Sequence, residues 1–318
     1  MKKVLLTFNL LFVFLTVFSQ EKKIIVSKDG SGDYNTVQAA IDAVPDFRKT
    51  TTIILIKNGI YKEKLNLSPS KKMVKLVGED VGKTILTYDD YAVKKNSFGE
   101  EKGTAGSSSF YIYGDGFCAE NITFENSSGP VGQAVALLVS ADKASFINCR
   151  MLGFQDTLYT YGGNSRQYFK NCYIEGTVDF IFGSATAVFE DCNIFCKKGG
   201  GYITASSSPD TVKHGYVFLN CKITGSAPDG SFFLGRPWRS YGKAVYINCQ
   251  LPKLIRAEGW NNWGKQSNEQ TAYYAEYKNR GEGSSVKQRV KWSHQLTELE
   301  VENYTLTQIL KGWNPKED

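Results

Sequence analysis

The sequence predicts an all-β fold, a parallel β-helix running as one continuous domain, from a repeat, a composition and a pattern of short apolar runs. Five cysteines recur in one frame: Phe146-Ile147-Asn148-Cys149, Tyr168-Phe169-Lys170-Asn171-Cys172, Phe189-Glu190-Asp191-Cys192, Val217-Phe218-Leu219-Asn220-Cys221 and Val245-Tyr246-Ile247-Asn248-Cys249. Each is an aromatic or β-branched run closing on Asn or Asp and then Cys. The successive Cys spacings are 23, 20, 29 and 28 residues, a unit size at which stacked solenoid coils repeat. Thirty Gly, three Met and 13% aromatic residues in 318 suit short strands joined by many turns. The runs Thr52–Ile56, Val74–Val77, Phe110–Tyr113, Ala134–Val139 and Ala244–Ile247 are separated by Gly-rich or polar turns, as strands of successive coils would be. At 42% hydrophobic and 22% charged, the chain is too apolar for intrinsic disorder and too polar for a multi-span membrane protein.

In chain order, Met1-Lys2-Lys3 supplies a positive start, Val4 to Phe18 an apolar run, and Ser19-Gln20 a small-polar cleavage point. This is the pattern of a secretory signal peptide over residues 1–19, ahead of a domain over 20–318. The run is shorter than the ~18 apolar residues that span a bilayer, so no membrane association is expected after its removal. Loss of its two lysines lowers the net charge from +6 to +4. With no Lys/Arg block, nucleic acid is not an expected partner.

Past that point, Val37, Ala40, Ile41 and Val44 have helical spacing behind Asn35-Thr36, and Pro45 ends the run. A short helix there would cover the open N-terminal end of the solenoid. The stretch from Trp292 to Leu310 mixes Leu296, Leu299, Val301, Leu306, Ile309 and Leu310 with polar residues, as a C-terminal cap would. Between these ends, the repeated Cys side chains are small enough to pile up inside the coils without pairing, with Asn at the turns. Cys172 and Cys192 fall on adjacent coils, so a disulfide between them stays open as the other reading.

The polar residues fall on the same repeat. Gln133, Asp156 and Asp179 are spaced by 23 and 23 residues, which predicts one position on three successive coils. Neighbouring coils lie ~4.8 Å apart, so two carboxylates and an amide would face one substrate group, with Gln155 adding a second amide. Two carboxylates so close do not ionise together easily, and one tends to keep its proton near neutral pH. The segments Gly153-Phe154-Gln155-Asp156-Thr157-Leu158-Tyr159 and Gly176-Thr177-Val178-Asp179-Phe180-Ile181-Phe182-Gly183 surround both acids with apolar residues. A solvated turn acid rarely keeps such company, whereas a site with shifted acidities requires it.

Those two segments, with Gln133-Ala134-Val135-Ala136-Leu137 and Leu234-Gly235-Arg236-Pro237-Trp238, resemble the four signature blocks of the pectin methylesterases, or pectinesterases. Gly59-Ile60-Tyr61-Lys62-Glu63, the opening Asp29 to Gln38, and the C-terminal Tyr274-Ala275-Glu276-Tyr277 and Arg289-Val290-Lys291-Trp292 fit that family as well. The resemblance implies a right-handed parallel β-helix and a secreted or periplasmic carbohydrate esterase that releases methanol from methyl-esterified galacturonate. It further implies Asp179 as nucleophile, Asp156 as general acid and then base, Gln133 and Gln155 as oxyanion donors, and Arg236 as the group holding Asp179 ionised. Pectin is then the expected partner, no cofactor or metal is expected, and the protein is expected to act as a monomer. Trp238, Tyr159 and Phe182 would line the groove by stacking on sugar rings, core packing being the other reading of each. Val178, Thr104 in Gly103-Thr104-Ala105-Gly106, and Ala205 in Ile203-Thr204-Ala205-Ser206 match further groove positions.

Rival chemistries lack their residues. No Gly-x-Ser-x-Gly elbow is present, and the two histidines, His214 and His294, lie outside the blocks and read as surface or packing residues. The Cys repeat reads as core rather than as a metal site. A pectate lyase or polygalacturonase would replace the two Gln and the Asp-Asp-Arg set with other acids. An esterase or thioesterase for a different ester, or a non-catalytic pectin-binding β-helix, would keep the same scaffold.

Overall fold

Every Asn or Asp of the Cys repeat forms a corner. Asn148, Asn171, Asp191, Asn220 and Asn248 have φ between 50° and 55°, the left-handed region that Asn and Asp enter more readily than bulkier residues. In this computed structural model, which describes residues 23–316, each corner passes the chain from one parallel sheet to the next and turns the following Cys inward. Three parallel sheets of eleven, seven and seven strands result, each coil contributing one strand to each sheet in turn. The fold is a right-handed parallel β-helix.

The eleven-stranded sheet runs from Lys23–Val26 to His294–Gln295, and its central members are Ala144–Ile147, Arg166–Lys170, Thr186–Glu190, Tyr216–Leu219 and Lys243–Ile247. Strict register brings Phe146, Phe169, Phe189, Phe218 and Tyr246 into one inward row. Their rings stack at 4.8, 4.8, 4.6 and 4.2 Å between centroids, within 11° of parallel. Beside them Cys149, Cys172, Cys192, Cys221 and Cys249 are buried. Each thiol donates to a carbonyl of the preceding coil, for example Cys172 to Phe146 at 3.3 Å and Cys221 to Phe189 at 3.2 Å. No disulfide joins the seven cysteines, including Cys172 and Cys192.

The N-terminal helix spans Val37–Asp42 with Thr36 as its cap, the Thr36 hydroxyl accepting from the Ala39 N–H. Glu63, from the block Gly59–Glu63, accepts from the Val37 and Gln38 N–H groups at 2.9 and 3.0 Å, which satisfies two donors that a helix start leaves unpaired. Val37, Ala40, Ile41 and Val44 are all buried in the main core. The C-terminal stretch behaves differently from a simple end cap. After pairing His294–Gln295 onto the last strand, it breaks into the short turns Glu298–Val301, Glu302–Tyr304 and Leu306–Ile309. Leu296, Ile309, Leu310 and Trp313 then pack on Tyr168, Val188, Val217 and Val245, the outward row of the eleven-stranded sheet. Arg166 fastens this return by donating to the Leu310 carbonyl. Leu299, expected among the packing residues, is 74% exposed because its turn faces away from the sheet. The signal-peptide segment, residues 1–19, lies outside the described residues.

Candidate active site

The outward face of one seven-stranded sheet carries the site. In its strands Leu137–Val139, Leu158–Thr160, Ile181–Gly183, Tyr202–Ser206 and Phe233–Pro237, register aligns Leu138, Tyr159, Phe182, Ala205 and Arg236 in one row across five coils. Asp156 and Asp179 each precede their strand by two residues. Because Leu158 pairs with Ile181, the two acids are neighbours on successive coils, as their 23-residue spacing predicts. Both have left-handed backbone, φ 65° and 50°, a conformation that strained functional positions often adopt. Gln133 departs from the expected register. It bridges to Gln155, not Asp156, because its coil holds one more residue before the strand, and the Thr157 carbonyl accepts from both Ala136 and Leu137. Gln133 and Gln155 thus sit side by side at the mouth of the site, and both still line it.

Arg236 reaches Asp179 from two coils away, Nε to Oδ1 at 2.9 Å and Nη2 to Oδ2 at 2.7 Å. Such two-point pairing is among the strongest arrangements for an ion pair. Asp179 and Asp156 are both 6% exposed. Burial pushes the Asp179 carboxyl above the usual carboxylate range, and Arg236 opposes that push. The expectation that Arg236 would simply lower this acidity is therefore corrected: desolvation outweighs the ion pair. Asp156 has no cation in contact. Burial first, and the Asp179 charge second, raise it from near 3.8 to about 8, with Arg236 only partly offsetting them. The pair is therefore divided as the sequence implied, with Asp156 the member that keeps its proton at neutral pH.

The cleft over these groups has a volume of about 240 Å³ and is lined by Thr104, Ala105, Gln133, Gln155, Asp156, Tyr159, Asp179, Phe182, Ala205, Arg236, Trp238 and Trp263. Tyr159 and Phe182 stack at 4.2 Å, and Trp238 meets them edge-on at 6.4 and 6.0 Å. These rings are therefore both packed on one another and open to the cleft, so neither of the two sequence readings excludes the other. Val178 is the expected groove residue that stands aside: it is half-buried, and its carbonyl accepts from the Asp156 N–H at 3.1 Å. Ala105 and Trp263 escaped the sequence reading. Trp263 lies 27 residues beyond Arg236 in a non-repetitive loop, and only its ring, 3.9 Å from the Arg236 guanidinium carbon, reveals its place.

His214 is buried with its ring edge against Tyr304, whereas His294 is exposed on the last strand. Neither reaches the cleft.

The profile described as Pectinesterase matches residues 23–313. The chain belongs to the pectinesterase family. It is 44% identical over 285 residues to Pectinesterase 31 of Arabidopsis thaliana, covering 88% of this chain and 89% of that protein. Among solved structures, the pectin methylesterase from carrot superposes with a TM-score of 0.83 at 35% identity, covering 91% of this chain and 93% of the carrot chain. A pectin methylesterase in complex with a hexasaccharide superposes with a TM-score of 0.81 at 31% identity, covering 93% and 99%. Both pectinesterases share the solenoid described above nearly end to end.

Proposed function

We propose that the protein hydrolyses methyl esters of galacturonate units in pectin, giving pectate and methanol. One observation carries this reading: a carboxylate clamped by Arg236 stands beside a carboxyl held near a pKa of about 8, with two amides at the mouth of the same cleft. Asp179 attacks the ester carbonyl carbon, and the negative oxygen that forms is met by the side-chain amides of Gln133 and Gln155. As the C–O bond to the methoxy group breaks, Asp156 gives its proton to the departing oxygen and methanol leaves. The acyl group is now an anhydride on Asp179. Asp156, ionised, takes a proton from water, the resulting hydroxide adds to the acyl carbon, and Asp179 departs as carboxylate while Asp156 is again protonated. Thr104, Tyr159, Phe182, Ala205 and Trp238 hold the polymer across the coils, Val178 flanking them.

The proposal extends to export, to the periplasm or the medium, and to action as a monomer. The N-terminal pattern of residues 1–19 supports export, and no helix of the described residues is long and apolar enough to cross a membrane. Incubation with methylated pectin decides between this reading and its rivals. Methanol without chain cleavage is expected. Unsaturated ends would indicate a lyase, new reducing ends a glycoside hydrolase, methanol only from other esters a different substrate, and no product a binding module.

A further inference from the structure

The bidentate grip of Arg236 on Asp179 requires the guanidinium to lie in the plane of the carboxylate, and nothing in an arginine's flexible stem fixes that plane. Two rings fix it. The guanidinium carbon is 3.6 Å from the Tyr202 ring centroid and 3.9 Å from that of Trp263, so it is sandwiched. The two walls are unequal in support. Trp263 belongs to a loop and lines the cleft. Tyr202 opens the strand Tyr202–Ser206, pairs in register with Phe233, and stacks on that ring at 5.3 Å and 11°. The guanidinium of Arg256 covers Phe233 in turn, 4.7 Å from its centroid. A column of alternating cations and rings, Trp263, Arg236, Tyr202, Phe233 and Arg256, thus stands behind the site. Tyr202 also touches the other partner of the ion pair, since its carbonyl accepts from the Asp179 N–H at 2.9 Å.

We propose that Tyr202 is a positioning residue, whose ring, backed by Phe233 and Arg256, fixes the guanidinium of Arg236 in the orientation that pairs with both oxygens of Asp179. It rests on the assignment of Asp179 as nucleophile made above. Tyr202 does not line the cleft, so its role is to act through Arg236 and not on substrate. Its ring face carries the effect, and its hydroxyl is not used in the contact. With a tilted Arg236, less of the opposition to burial survives, the Asp179 carboxyl binds its proton more tightly, and the fraction ionised and ready to attack falls at acidic pH.

The experiment compares wild type, Tyr202→Leu and Tyr202→Phe by methanol release from methylated pectin across pH. Tyr202→Leu should lower kcat about 5- to 30-fold, the scale of a desolvated cation–ring contact, leave KM within about two-fold, and move the acidic limb of the kcat profile to higher pH. Tyr202→Phe should restore both kcat and the limb. A loss of packing alone would lower active enzyme at every pH without moving the limb. An unmoved limb in Tyr202→Leu, or a Tyr202→Phe variant as impaired as Tyr202→Leu, would overturn the proposal. If Tyr202→Leu does not fold, Phe233→Leu removes the backing while keeping Tyr202, and a smaller shift in the same direction is required. A wild type that releases no methanol would defeat the esterase reading instead. In that case the carbon-13 titration of the Asp179 carboxyl in wild type and Tyr202→Leu decides the positioning role, an unchanged titration counting against it.

Discussion

Asp156 and Asp179 are adjacent rungs of one ladder, yet only Asp179 is held by a cation, Arg236 meeting its two oxygens at 2.9 and 2.7 Å. The same burial therefore acts on two carboxyls with different outcomes, and their separate chemistry follows from a residue 57 positions further along the chain.

Removing either acid should stop turnover for different reasons. Asp179→Asn should abolish methanol release at every pH, since an amide does not attack an ester. Asp156→Asn should lose ~10² to 10⁴ in rate with methyl esters, but should still give a pre-steady-state burst with a nitrophenyl galacturonate, whose alcohol leaves without a proton. A burst in the Asp179 variant instead would exchange the two roles.

Acylation needs Asp156 protonated, and its carboxyl lies at about 8. The first-step rate, watched as burst amplitude and rate, should fall as pH rises through that value. In Asp156→Asn with the nitrophenyl ester this basic limb should vanish. A limb that persists in the variant belongs to another group.

Stability should show the same carboxyl with its sign reversed from an ordinary aspartate. The folded state keeps the Asp156 proton to a higher pH than the unfolded chain does, so this contribution is full below about pH 4 and is lost as pH climbs toward about 8. Asp156→Asn should accordingly unfold at a higher temperature than wild type at pH 8.5, by on the order of a few kcal/mol in stability, with the gain shrinking toward pH 4. Thermal unfolding at both pH values measures this, and an equal gap at the two would refute it.

Trp238 is half-buried and rests edge-on against Tyr159 and Phe182, with its remaining face toward the cleft. Trp238→Ala should weaken pectin binding roughly 2- to 10-fold while leaving thermal unfolding close to wild type. Unchanged affinity together with lost stability would make it a packing residue.

Cys149, Cys172, Cys192, Cys221 and Cys249 are buried thiols, so a thiol reagent should modify them only after unfolding. Mass analysis should show the same thiol count with and without prior reduction. Fast labelling of the native protein at these positions would mean that the coils are not stacked as described.

The sequence by itself determined the coil. Asn148-Cys149 and its repeats state both a left-handed corner and a small inward residue within two positions, and such local chemistry needs no distant partner to be read. The pairing of Asp156 with Asp179 was also legible, because the coil between them has the same length as the strand offset, 23 residues. Gln133 shows the limit of that rule: one extra residue before Leu137 shifts it onto Gln155, and spacing in sequence does not report where a bulge absorbs a residue. The roles of Tyr202 and Trp263, the balance of burial against Arg236 at Asp179, and the course of the tail along the outer sheet face were decided only by the tertiary structure. Coils of 20 to 29 residues bring together side chains from loops of unequal length. Which ring meets which cation then depends on how those coils stack, a contact that no short stretch of sequence contains.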